Sequence, residues 1–342
     1  MPPYEKQEAR AWAFETMRGC ANTVLASYTP DLSGLDEAGI RSDVRREIEL
    51  GFWGALLVGE TALTVDEYLQ FTKWTVEEAE GKLHFLHHAC FNTLEENIEV
   101  ANLADEAGAE LVLLTYPPSF YPTSSEEIYE YTRAFCDGTD LAVVLFPVPL
   151  WDFERVHPAS IAPEIIERLI DDCPNVVAVK AEGGFPSIGG FVDVHKRFGD
   201  RVIVTMPVED QGIPLKQLVD MQWMGTSYME FFGDCVPRMF NLLEEGKREE
   251  AMEIFWQIHP ARKAGHQLMS VAIGANFSHR MAWKYMGWLN GMNGGPLRMP
   301  TMRLSSAQMQ IARRGLERSG LPVTGDSDDL FFVGRSAAKV AV

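Results

Sequence analysis

Eight short apolar runs recur along the 342-residue chain, and segments with helical spacing separate them. They are Ala21–Ala26, Ala55–Val58, Leu83–His88, Leu111–Thr115, Ala142–Phe146, Val176–Lys180, Val202–Met206 and Thr226–Met229. They are continuous apolar runs more than alternating ones, which suits strands covered on both faces, as in parallel sheets. Between them, Ile40, Val44 and Ile48 recur every four residues and form one buried helical stripe. Thr93 with Glu96 and Ser124 with Glu127 have the spacing of capping boxes, and Gly51, Gly81 and Gly108 close helices just before a strand. Eight β/α alternations without a long polar linker predict an α/β chain folded as a closed (β/α)8 TIM barrel. A doubly wound open sheet is the alternative, because alternation alone does not show closure. The expected organisation is an N-terminal extension over 1–18, the barrel over 19–235, a helical segment over 236–322 and a tail over 323–342.

Composition narrows the function classes. A net charge of −19 disfavours nucleic acid, whose phosphates need basic patches. It does not exclude an anionic substrate, since a few local donors outweigh a distant field screened within about 8 Å. The chain has no uninterrupted apolar run of the roughly 20 residues that a membrane span needs. Its first 18 residues lack the apolar core of a secretion signal, so a cytoplasmic protein is expected. The five cysteines are odd in number, far apart and never spaced CxxC, which suggests reduced thiols rather than a disulfide framework or a zinc knuckle.

Lys180 is the leading chemical candidate, for it ends the run Val176-Val177-Ala178-Val179. A lysine at the C-terminal end of a barrel strand faces the active-site mouth. Apolar surroundings disfavour the ammonium, and the free amine attacks a ketone to give an iminium, the electron sink of aldol cleavage. The bland alternative is a rim lysine that escapes into water.

Four blocks carry a family resemblance: LDEAGIRSDVRREIELGFWGALLVG, HACFNTLEENIEVANLADEAGAELVLLTYPP, NVVAVKAEGG and HRMAWKYMGWLNGMNGGPLRMP. From about Gly19 to Leu321 the chain resembles the dihydrodipicolinate synthase and N-acetylneuraminate lyase family of class I aldolases. The resemblance implies that Lys180 forms the Schiff base, that no cofactor or metal is used, and that the chain assembles as a homodimer or homotetramer. Two departures stand out. Phe146 occupies the place of the family's proton-relaying tyrosine at the end of strand five. The family's Gly-Thr-Thr-Gly-Glu loop, which holds the substrate carboxylate, is shortened to Gly59-Glu60-Thr61-Ala62. Standard pyruvate condensation with aspartate semialdehyde is therefore expected to be absent.

Replacement acid-base groups come from the ends of other strands: Tyr28, Tyr116, Tyr228, His87, His88 and Glu182. Tyr116 is preferred, then His88, although Tyr116 precedes Pro117-Pro118 and can equally brace that loop. Glu60, Thr61, Phe146, Glu182, Gly183, Ser227 and Tyr228 are the expected substrate contacts. Of His84, His87 and His88, only His84 and His88 share a strand face, and no acidic partner is spaced to complete a metal site. The glycine-rich stretch Gly183–Gly190 reads as an active-site loop. Phe120, Tyr121, Trp151 and Phe153 line either a mouth for a bulky substrate or a subunit contact. The expected function is a Schiff-base lyase acting on a 2-oxo acid or related carbonyl compound, with a hydratase-aldolase for a bulky or aromatic substrate as its specific form. A sugar-acid hydro-lyase and a non-catalytic ligand-binding barrel are the alternatives.

Overall fold

The computed structural model describes residues 2–182, 187–274 and 279–340. Eight parallel strands form a nearly closed barrel: β1 Gly19–Leu25, β2 Gly54–Val58, β3 His84–Ala89, β4 Leu111–Leu114, β5 Ala142–Leu145, β6 Val176–Lys180, β7 Ile203–Thr205 and β8 Trp223–Gly225. The sheet order is β7-β6-β5-β4-β3-β2-β1-β8. The helices that follow β1 to β8 are α2 Glu37–Glu49, α3 Val65–Ala79, α4 Leu94–Glu106, α5 Ser125–Gly138, α6 Pro163–Asp172, α7 Ser187–Phe198, α8 Glu209–Lys216 and α9 Cys235–Glu244; α1 Ala9–Thr16 precedes the barrel. The (β/α)8 expectation holds, and its physical basis is visible: β2, β4, β5 and β6 are buried at every position. By packing, the chain divides into two compact units, residues 1–21 with 84–225 and residues 22–83 with 226–342.

In the first unit, Ser124 caps α5 and Thr93 caps α4, each side chain accepting the N–H three residues on. Such a cap contributes about 1 kcal/mol. Gly108 takes φ +103° after α4, a conformation that β-branched residues avoid. The β5–β6 ladder is irregular: Val143 pairs with Val176, but Val144 pairs with Ala178 and Leu145 with Val179. Val177 is thus an extra residue on β6, and the bulge resets which residues share a face above it. Asn175 anchors the start of β6 by donating to the carbonyls of Cys136, Thr139 and Leu141, each at 3.1 Å. From α1, Arg10 donates to Val176 O at 2.9 Å and Cys173 O at 2.7 Å. One strand differs from expectation. Thr226–Met229 is not β8; the strand is Trp223–Gly225, because that stretch pairs with Gly19–Ala21 of β1. Gly225 N donates to Thr205 Oγ1 at 3.3 Å, tying β8 to β7.

In the second unit, the helices α10 Arg248–Gln257, α11 His259–Gly274, α12 Arg280–Leu289 and α13 Ser306–Arg318 follow α9. The expected tail is docked: Phe331 is fully buried, its ring 5.1 Å from Tyr285 and 5.8 Å from Trp288. Arg335 donates to Trp288 O at 3.0 Å and to Thr324 Oγ1 at 2.9 Å. Arg298 of the Gly-Gly-x-x-Arg-x-Pro turn grips Glu67 through two bonds, 2.6 and 2.7 Å, with its guanidinium 4.5 Å from the Tyr28 ring centroid. No helix among the described residues is long and apolar enough to cross a membrane.

A buried polar cluster packs beside β1 in this unit. Asn22 Nδ2 donates to Glu47 Oε1 at 2.7 Å, while Met229 N donates to Asn22 Oδ1 at 2.8 Å. Burial pushes the Glu230 carboxyl up to about 8 from an ordinary 4.5, and burial together with Glu230 raises Glu47 well above its usual value. A carboxyl whose folded pKa is raised stabilises fully below its unfolded pKa and loses that contribution as pH rises to the folded one. Thermal stability should therefore fall between pH 5 and pH 8. Glu230→Gln should flatten that slope without abolishing it, since Glu47 and Asp43, itself raised to about 6 by burial, act in the same sense. Melting curves at pH 5, 6.5 and 8 check this; an unchanged slope in the variant would refute the assignment.

Candidate active site

Register across the ladders decides what surrounds Lys180. Lys180 pairs with Thr205 on β7. Continuing the β5–β6 register past Leu145 and Val179 brings Phe146 level with Lys180. Residues level across a parallel ladder point to the same face. The contact agrees: Lys180 Nζ lies 3.7 Å from the Phe146 ring centroid. The amine is almost wholly buried, its side chain 6% exposed, and Glu182 Oε2 lies 3.3 Å away with 29% exposure. An ammonium over an aromatic face gains about 0.5–2 kcal/mol, rising as water is excluded. Phe146 thus offers the amine an aromatic quadrupole and no hydroxyl.

The backbone beyond β6 is pinned. Ala181 N donates to Thr205 O at 2.9 Å, and Glu182 N turns back to Lys180 O at 3.0 Å. Trp151 in the loop after β5 donates its indole N–H to Phe146 O at 2.7 Å, with its ring edge-on to Phe146 at 5.9 Å. Gly183 lies outside the described residues, as do Gly184, Phe185 and Pro186; the rest of the expected glycine-rich loop, from Ser187, opens α7.

Tyr116 requires a correction. Leu113 pairs with Val144, so Thr115, not Tyr116, is level with Phe146. Tyr116 turns the other way, toward the outer helices. Its buried hydroxyl lies 2.7 Å from Thr132 Oγ1 on α5, and Thr132 donates in turn to Ile128 O at 2.6 Å. The phenol proton is therefore committed to Thr132, and burial pushes the hydroxyl well above its usual pKa. The Tyr116 ring packs among Phe120 (5.6 Å), Tyr131 (5.3 Å), Trp151 (5.9 Å) and Phe153 (4.9 Å), so much of the expected aromatic mouth is internal packing. Tyr121 is 68% exposed with the Arg155 guanidinium 3.4 Å from its ring centroid.

The histidines separate by face. His88 pairs with Leu113, which places it on the Lys180 face one layer deeper in the barrel. His87 faces the other way, its ring stacked on Phe91 at 6.2 Å; burial, then His88, drives its pKa down to about 3, so it is neutral. His84 does have an acidic partner, Glu110 Oε2 at 2.5 Å, which the sequence spacing did not suggest. No group of three metal-binding side chains occurs among the described residues.

The other expected contacts lie in the second unit. Glu60, after β2, is ion-paired with Arg280 of α12, whose guanidinium lies 4.2 Å from the Trp283 ring centroid. That pairing answers the puzzle of a carboxylate in an anion-binding loop, and Arg280 was not foreseen. Thr61 is fully buried; its carbonyl accepts from Tyr28 Oη at 2.8 Å, and its own hydroxyl has no hydrogen-bond partner among the described residues. Tyr28 is thereby a donor to the backbone, its pKa raised to about 12 by burial. Tyr228 and Ser227 follow β8 rather than lying on it; both are half-buried, and the Tyr228 ring packs on Trp283 at 4.9 Å.

Comparison with known proteins gives the family and agrees with the barrel fold. The model of the dihydrodipicolinate synthetase family matches residues 16–316. The chain is 23% identical over 317 residues to the 4-hydroxy-tetrahydrodipicolinate synthase of Methanopyrus kandleri, covering 89% of this chain and 97% of the relative. It is 26% identical over 291 residues to that of Halorhodospira halophila, covering 84% and 91%. Among solved structures, the dihydrodipicolinate synthase of Aquifex aeolicus superposes with TM-score 0.75 at 19% identity, covering 90% of this chain and 100% of the other. A structure described as a monomeric dihydrodipicolinate synthase variant gives TM-score 0.75 at 23% identity, covering 90% and 99%.

Because the Tyr116 hydroxyl bonds to Thr132, Tyr116→Phe should lower stability by about 1 kcal/mol, the usual net worth of such a bond. It should leave borohydride trapping of a 2-oxo acid unchanged. Denaturant melts and trapping yields measure the two; a loss of trapping in a stably folded variant would restore Tyr116 to the chemistry.

Proposed function

This chain belongs to the dihydrodipicolinate synthetase family, and from that premise we propose that its Lys180 forms a Schiff base with a 2-oxo acid to make or cleave a carbon–carbon bond. The enzyme class is a class I, aldolase-type lyase. The observation that carries the role of Lys180 is its buried amine at the end of β6, held between the Phe146 face and the Glu182 carboxylate. Lys180 Nζ attacks the substrate C2, water leaves, and the resulting iminium draws electrons from the adjacent bond.

In this fold the loops after the strands build the substrate mouth. Thr61, Ser227 and Tyr228 are proposed as substrate contacts on the loops after β2 and β8. The unpartnered Thr61 hydroxyl supports this, since a buried hydroxyl in a native fold ordinarily has a partner. Glu60 contributes through Arg280, its ion-pair partner. His88 serves from below the lysine layer. An aromatic or otherwise bulky second substrate fits a wall built of Phe146 and Trp151, as in a hydratase-aldolase. A cytoplasmic setting is supported by the five cysteines, which form no disulfide among the described residues. Assembly as a homodimer or homotetramer rests on the family pattern alone.

Borohydride trapping with a panel of 2-oxo acids, followed by peptide mass mapping, should label Lys180. Lys180→Ala should abolish the label and keep the fold; a label retained on another lysine would overturn the reading. Condensation of pyruvate with aspartate semialdehyde should run about 10–10²-fold below a tyrosine-bearing relative, because the shortened Gly59–Ala62 loop gives up a hydrogen bond to the substrate carboxylate, worth about 1.5–3 kcal/mol for a charged acceptor. A steady-state assay of both enzymes side by side checks this, and equal rates would contradict it.

A further inference from the structure

Imine chemistry needs a proton carrier at the amine, and Phe146 has no hydroxyl to serve. We propose that Glu182 is that carrier, a catalytic acid-base residue that replaces the family tyrosine from a different strand end. The inference rests on the reading of Lys180 as the imine-forming residue.

Three features support it. Glu182 Oε2 lies 3.3 Å from Lys180 Nζ, within reach of a proton moving to or from the nitrogen. The position is built rather than incidental: Ala181 is fastened to β7 by its N–H, and Glu182 N returns to Lys180 O at 3.0 Å, so the chain folds back directly above the lysine. The carboxylate also spans the burial gradient, 29% exposed beside a lysine side chain that is 6% exposed, and so connects the amine to solvent protons. The competing groups are less suited. The Tyr116 proton is committed to Thr132, and His87 faces away from the amine and stays neutral. His88 sits a layer deeper, level with Leu113. Thr115 and Thr205 share the lysine layer but carry only alcohols, too weakly acidic to cycle a proton near neutral pH.

The steps balance. Glu182 accepts a proton from the Lys180 ammonium, freeing the amine, whose lone pair forms the C–N bond at C2 while the carbonyl π electrons move to oxygen. Glu182 returns that proton to the alkoxide and takes another from the new N–H2+, leaving a neutral carbinolamine; it then protonates the hydroxyl, which leaves as water while the nitrogen lone pair forms the C=N bond of the iminium. The carboxylate next removes a hydrogen from C3 as a proton; the C–H electron pair forms the C2–C3 double bond, and the iminium π electrons return to nitrogen. The reverse step returns a proton to C3, taken from solvent through the same carboxyl.

In D2O this cycle exchanges the C3 hydrogens of pyruvate or 2-oxobutyrate without any second substrate, so proton NMR can follow it. The wild-type enzyme should be trapped by borohydride and should exchange C3 hydrogens. Glu182→Gln should still be trapped, while exchange per trapped enzyme falls about 10²–10⁴-fold, the range of a lost acid-base group. Glu182→Asp, with the carboxylate set back, should recover part of the rate. Scoring exchange per trapped enzyme prevents weak imine formation from imitating the result. If Glu182 only balances the lysine charge, Glu182→Gln will shift the pH dependence of trapping and leave exchange per trapped enzyme at the wild-type rate. That outcome overturns this inference and leaves the imine reading intact. A wild-type enzyme that no 2-oxo acid can trap would overturn the imine reading first, and this one with it.

Discussion

The extra residue on β6 governs the chemistry at the strand ends. Without the shift between Val143 and Val144, Phe146 would stand level with Val179 rather than Lys180. The ring would then turn toward the helices and leave the amine without its aromatic floor. Parallel strands alternate faces strictly, so one inserted residue moves every side chain beyond it to the other side. The fold holds the bulge in place from below, where Asn175 and Arg10 occupy the carbonyls around the start of β6. A contact at the closed end of the ladder thus fixes the geometry at the open end.

Much of the barrel was legible in the sequence because strands buried on both faces leave continuous apolar runs. Seven of the eight strands lie where such runs predict them. The eighth was displaced because Trp223–Gly225 is too short a run to stand out from Thr226–Met229 beside it, and pairing with β1 chooses between them. Lys180 was legible for the same reason as its strand: a charge that ends an apolar run has few places to go. Tyr116 follows the strand beside the one that leads to Phe146, but strand parity gives the lysine face to Thr115. The bulge and the Glu60–Arg280 pair could not be read at all. The first exists only in pairing, and the second joins residues 220 positions apart.

Two different side chains flank the amine, an aromatic ring and a carboxylate. Phe146 supplies the wall, and an aromatic face tolerates the ammonium without competing for its hydrogen. The nearby carboxylate stands at the border of solvent rather than within the barrel. A buried lysine paired with a half-exposed acid avoids the full desolvation that makes two buried charges costly. The same logic separates the Glu60–Arg280 pair, set at a loop, from the Glu47 and Glu230 carboxyls, whose pKa values burial raises.

Trp151 gives this arrangement an optical side. Its indole N–H is bonded to the Phe146 carbonyl, and its ring meets the Phe146 ring edge-on. Lys180 Nζ lies over that same phenyl ring. Indole emission responds to local electric fields, so a change of charge at the amine, one ring away, is expected to register in the fluorescence of Trp151.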